Sequence, residues 1–107
     1  MNLTPSVPVH CRGNLLPVAE LVPHPAELPP ASARVTLRAQ ALLRNGWREP
    51  VIVSRQTGRT VIGEDLVEAA RVLGLPSVPV EKQDFADEAD EAFFAGLDAR
   101  TPQLIRG

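Results

Sequence analysis

Apolar residues recur at helical spacing in three stretches of the chain and cluster into short β-branched runs between them. From Ser32 to Gly46, Val35, Ala39, Leu42 and Leu43 form one stripe, which predicts a helix with Ser32 as N-cap and Asn45-Gly46 as its stop. A second stripe, Leu66, Ala69, Ala70 and Leu73, predicts a helix that follows Gly63 and closes at Gly74. Asp87 to Phe94 predicts a third, with Asp87, Glu88, Asp90 and Glu91 at the positive end of its dipole and Ala89, Ala92 and Phe93 facing inward. Pro50-Val51-Ile52-Val53 and Thr60-Val61-Ile62 read as a hairpin turning at Gln56-Thr57-Gly58-Arg59. Ser77-Val78-Pro79-Val80 reads as another strand, which Pro79 would confine to an edge or end position. Leu15 to Val18 and Leu21-Val22 are expected to supply a short edge strand, after which Pro23-His24-Pro25 turns the chain away. Leu97 to Gly107 has no strong period.

The chain has 107 residues, enough for one small domain, and its 44% hydrophobic and 22% charged residues are those of a globular protein. Seven of the eleven prolines lie in the first thirty residues, where they exclude a long helix or a central strand. The expected organisation is an extended segment over 1–14, a folded domain over 15–100 and a tail over 101–107. No run of about 18 apolar residues and no secretory signal is present, so a soluble cytoplasmic protein without a membrane partner is expected. A single cysteine, Cys11, with His10 and His24, excludes a thiolate-rich zinc site.

Charge divides along the chain beneath a net value of -2. Six arginines between Arg34 and Arg59 face one acid, Glu49, whereas nine acids between Glu64 and Glu91 face only Arg71 and Lys82. Arg34 and Arg38, four apart on the flank of the first helix, are candidate ligands for nucleic-acid phosphates or simply a solvated helix edge. His24, held between two prolines, is either a functional imidazole or a turn cap. Trp47, the only tryptophan, is expected to pack in or beside the core. The junction Thr60 to Leu75 is the most informative. A glycine between a strand and a helix lets a ligand approach the unpaired N–H groups of the first turn, which suits phosphate.

Taken together, Leu21-Val22-Pro23-His24-Pro25, the helix ending Leu42-Leu43-Arg44-Asn45-Gly46-Trp47, the PVIV run from Pro50, Val61-Ile62-Gly63-Glu64, Glu68 to Leu75 and Val78-Pro79-Val80 resemble the ParB N-terminal, or ParB/sulfiredoxin-like, domain. The resemblance covers roughly residues 15 to 100. It implies an α/β (α+β) domain with a small mixed sheet flanked by about three helices. Members bind and hydrolyse CTP during partition, repair oxidised cysteine with ATP, or act as nucleases, so the fold alone selects no reaction.

The family's phosphate motif is glycine, then histidine or glutamate, any residue, and arginine. Its counterpart here is Gly63, Glu64, Asp65 and Leu66, without the arginine. Asp98-Ala99-Arg100 resembles the family's Asp-Asn-Arg segment with alanine for asparagine. The phosphate candidates implied are therefore Gly63, Glu64, Asp65 and Arg100, with CTP or ATP and Mg²⁺ as cofactors if the site is retained. Against retention, a unit charge about 6 Å away at an effective dielectric near 20 contributes roughly 3 kcal/mol, more than the roughly 0.3 to 1 kcal/mol of an exposed helix N-terminus. Cys11 lies far from the position of the family's redox thiol, which is Glu64 here, and cysteine repair is disfavoured.

The leading expectation is a stand-alone binding or regulatory module with a degenerate phosphate site and a protein partner. One rival is a nucleotide- or metal-dependent nuclease or triphosphatase with Glu64 and Asp98 as catalytic candidates, in which Glu64 or Asp65 with Asp98 and His24 surrounds Mg²⁺ or Mn²⁺. Another is a DNA-associated accessory protein using Arg34 and Arg38. Because the family's partition proteins carry a helix-turn-helix region beyond this domain, recognition of a specific DNA site is expected to need a second polypeptide.

Overall fold

The computed structural model describes residues 6–7, 14–25, 30 and 32–100, the last three in backbone only. Five strands and three helices follow one another as β1 (Leu15–Pro17), β2 (Val22–Pro23), α1 (Ser32–Asn45), β3 (Val51–Ser54), β4 (Arg59–Ile62), α2 (Glu64–Leu73), β5 (Ser77–Gln83) and α3 (Glu88–Arg100), with a single 3-10 turn over Val18–Glu20 between the first two strands. One mixed sheet has the order β1-β5-β3-β4-β2. β3 and β4 form the expected antiparallel hairpin, with a register shift between Ile52 and Val53, and β3 runs parallel to β5.

The proline-rich segment yields two edge strands where one was expected. β1 lies antiparallel to β5 at one margin of the sheet, and β2 lies parallel to β4 at the other. β5 in turn is interior, contrary to the position Pro79 suggested. Ser77 to Pro79 pair with β1, whereas Val80 to Gln83 pair with β3. The proline thus stands where one ladder hands over to the next, so its missing N–H interrupts neither in mid-run.

Val35, Ala39 and Leu42 of α1, Leu66, Val67, Ala69 and Ala70 of α2, Val51 and Val53 of β3, and Val78 and Val80 of β5 make up the main core, joined by Trp47 as expected. Leu43, placed in the α1 stripe by its spacing, is 54% exposed instead. It follows Leu42 directly, and a rotation of about 100° per residue carries it off the buried face. Gly46 ends α1 with its amide on Leu42 O at 2.9 Å, and Trp47 N–H donates to Ser6 O at 2.9 Å, beside Val7, which packs against the core.

α3 differs most from its expected form. It continues through Leu97 to Arg100, and among its described side chains Glu91 and Ala95 are buried, while Ala89 is exposed and Phe93 is 62% exposed. Asp87 precedes the helix and caps it, its Oδ1 accepting from Asp90 N at 2.9 Å. Val51 and Val53 point to α1 and α2, and the alternate residue Ser54 meets Glu91, so α3 covers the opposite face of the sheet. Among the described residues no helix is long and apolar enough to cross a membrane.

Candidate ligand-binding site at the start of α2

The chain leaves β4 and enters α2 through Gly63, whose φ of 102° is open to glycine and strained for other residues. A Cβ there would also come within 3.4 Å of Val51 Cγ2. Gly63 O accepts from Leu66 N at 2.9 Å and from Val67 N at 3.1 Å. Gly74, at φ 73°, ends the helix as expected.

The acids that open α2 are both buried, each 5% exposed. Asp65 is surrounded by donors. Arg34 Nε donates to its Oδ2 at 3.1 Å, Arg38 Nε to the same oxygen at 2.9 Å, and Leu66 N to its Oδ1 at 2.9 Å. The two arginines, four apart on α1, are thus engaged by one acid and not a solvated edge. They hold α1 against α2 through one carboxylate. Leu66, at the place of the family's arginine, is 6% exposed and belongs to the core.

Glu64 is the opposite case. Its Oε2 is sealed from solvent and accepts no hydrogen bond. Burial pushes its carboxyl up to about 7 from an ordinary 4.5, against a lowering by Arg71 and with smaller upward contributions from Glu68 and Asp65. Glu64 lines a cavity of about 650 Å³ between the β2–α1 loop, α1 and α2, together with Pro23, His24, Pro25, Val35 and Val72. Arg71 and Glu68, also on its wall, form an ion pair with each other. A smaller cavity of about 150 Å³ touches Gly63, Asp65, Leu66 and Arg38 on the other side of the helix start.

His24 lines the large cavity but is turned toward α3. It is 4% exposed, with Nε2 3.6 Å from Glu91 Oε1. Glu91, 2% exposed, accepts from Ser54 Oγ at 2.7 Å and from Thr57 Oγ1 at 3.0 Å. This cluster ties α3 and the β2–α1 loop to the tip of the hairpin. Sequence reasoning missed it, because Glu91 meets Ser54, Thr57 and His24 only through the fold. The side chains of Asp98 and Arg100, and the whole of Cys11, lie outside the described residues. Among the described residues no three histidine, cysteine or carboxylate groups converge as a metal site requires.

No protein-family model matches the chain, and no curated protein matches its sequence. Solved structures match its fold. The C-terminally truncated chromosome-partitioning protein ParB from Caulobacter crescentus, complexed with CTP-gamma-S, is similar with a TM-score of 0.64 at 19% identity over 76% of this chain and 48% of that one. The same protein complexed to the centromeric parS site gives 0.59 at 19%, over 76% and 43%. A Pnob8-like ParB-N domain gives 0.55 at 21%, over 76% and 32%. The chain therefore has the α+β fold of ParB N-terminal domains, as its sequence resemblance implied, and spans less than half the length of each of these chains.

Proposed function

We propose that this chain is a ParB-N-type binding module whose phosphate site is degenerate, satisfied by an anion of its own, and that it works by binding and not by turnover. The observation that carries this reading is the Asp65 carboxylate. It takes two guanidinium Nε–H groups and a first-turn amide, the same donors that a phosphate at a helix start would draw on. CTP or ATP with Mg²⁺ does not fit the residues so arranged. The motif's arginine position is a core leucine, and Arg34 and Arg38 are already engaged by Asp65.

Titration with CTP, ATP and GTP in the presence of Mg²⁺ is expected to leave the thermal midpoint unchanged. A ligand present at 100 times its Kd would add about 2.7 kcal/mol, which no melting curve misses. A clear rise with any of the three overturns the reading.

A second reading is a module that binds nucleotide and DNA, favoured by the CTP-gamma-S and parS complexes of the Caulobacter protein. In it Asp65 gives up Arg34 and Arg38 to the phosphates, while the exposed Arg44 and Arg48 meet the nucleic acid. Asp65→Asn would then tighten nucleotide binding, and DNA affinity would fall steeply with salt. No DNA binding at low salt removes its nucleic-acid half.

A further inference from the structure

On the sheet face opposite α1 and α2, α3 buries Glu91 and Ala95 and turns larger apolar residues outward. Phe93 is 62% exposed, Phe94 36% and Leu97 50%. We infer that this outer stripe, together with Phe85, docks a basic segment of a protein partner, which lays an apolar anchor on the rings and its arginines or lysines over the acids that open the helix. The stripe lies across the sheet from the phosphate site, so this docking goes beyond the reading above and stands whether or not that site is degenerate.

Asp90, Phe93, Phe94 and Leu97 follow one another at i, i+3, i+4 and i+7, the spacing of a single helix face. α1 and α2 turn their apolar faces to the core, whereas α3 turns this one to solvent. The rings are in contact. Phe94 lies 5.9 Å from Phe85 at 55° and 5.3 Å from Phe93 at 83°, the tilted and edge-on arrangements that aromatic pairs prefer. All three phenylalanines of the chain therefore belong to one surface cluster. Singly exposed apolar residues are ordinary, but a contiguous patch with a polar rim marks a place of interaction.

Charge selects the partner. From Asp84 to Leu97 the chain has five acids and no lysine, arginine or histidine. Glu91 is buried and held by hydroxyls, Asp84 is met by Arg55 at 3.1 Å, and Glu88 has Arg59 at 3.9 Å. Asp87 and Asp90 accept from backbone amides, and among the described residues no cation pairs with either. Carboxylates in this number repel nucleic acid and anionic lipid, and they steer a cationic polypeptide toward the rings. Arginine suits the patch in two ways, since its edge pairs with a carboxylate and its plane stacks on the face of a phenylalanine.

The probe is a synthetic amidated helix of leucine, alanine and arginine, with leucines at i, i+3, i+4 and i+7 and arginines on the flanks. Its control carries glutamate for every arginine. In ¹H-¹⁵N correlation spectra at low salt the arginine peptide is expected to shift amides from Asp84 to Leu97 and to leave those of α1 and α2 in place, while the glutamate peptide shifts none. Phe93→Ala, at a position mostly exposed, should weaken binding about tenfold, as the loss of an interface anchor does. Asp87→Asn combined with Asp90→Asn keeps an oxygen for each amide and removes both charges. Affinity should then drop about fivefold at low salt and hardly at all at high salt.

No shifts with the arginine peptide, equal shifts from both peptides, shifts centred on another surface, or undiminished affinity in either variant would each overturn the inference. If a variant does not fold, the two peptides compared on the wild-type protein and the map of shifts still decide. The protein alone is followed on dilution through the same amides. Movement there would make a second copy the occupant and overturn the inference as well. Nucleotides are titrated on parallel samples, where a response removes the reading of the previous subsection and leaves this surface standing.

Discussion

Two glutamates on consecutive helices are buried almost equally, yet they are treated in opposite ways by their surroundings. Glu91 on α3 is met by the hydroxyls of Ser54 and Thr57 and faced by His24. Glu64 on α2 meets no donor at its sealed oxygen and borders a cavity. Burial alone therefore does not say how an acid is held. The completeness of the hydrogen bonding does, because a satisfied carboxylate holds elements together while an unsatisfied one is a standing cost.

The largest effect is expected at Asp65, an acid held by two guanidinium groups and one backbone amide. Asp65→Ala leaves Arg34 and Arg38 crowded together without their anion, and breaking such a pair is expected to cost about 3 kcal/mol. Urea denaturation should show it as a fall in midpoint at constant slope. Removing the other satisfied acid, in Glu91→Ala, is expected to cost about 2 kcal/mol through its lost hydrogen bonds. Amide hydrogen exchange should then speed up in α3 and at the hairpin tip well before it does in α2.

Glu64→Gln is expected to act with the opposite sign. The folded protein keeps a proton on Glu64 up to about pH 7, whereas the unfolded chain releases it near 4.5. Wild-type stability therefore falls as pH rises through that interval, and the penalty is complete above it. The glutamine variant should match wild type below pH 4.5 and exceed it at pH 8. After allowance for solvent screening the gain is about 1 kcal/mol, roughly 4 to 8 °C in melting temperature. A variant with unchanged pH dependence would place the titration elsewhere. Least is expected from the exposed pair of Arg55 and Asp84. Arg55→Ala should cost under about 1 kcal/mol, and less in high salt.

What was legible in the sequence is what local chemistry decides. Gly63 and Gly74 mark the ends of α2 because the left-handed conformation excludes most other residues, and Leu66 reads as core because its neighbours in the stripe do. The pairing of Asp65 with Arg34 and Arg38 joins residues 31 and 27 positions apart, and nothing in the spacing of one helix announces what another will bring to it. α3 misled for a related reason. Its phenylalanines are the strongest apolar signal in the segment, yet Phe93 and Phe94 pack against each other near the surface, their ring centroids 5.3 Å apart, while a glutamate turns inward to hydroxyls supplied by the hairpin. Pro79 was read by a rule for strands with one partner on each side throughout, and β5 changes partners at that residue.

The outermost strands of the sheet are joined by only four residues, Val18 to Leu21, three of them wound into a helical turn. Laid flat, five strands would hold those margins apart by four gaps, roughly 19 Å, a span that so short and coiled a connection does not reach. The sheet must consequently bow until its rims draw together, with this strap fixing the curvature. His24 follows β2, with two residues between it and the far end of the strap, so the strap also helps to place the imidazole that faces Glu91.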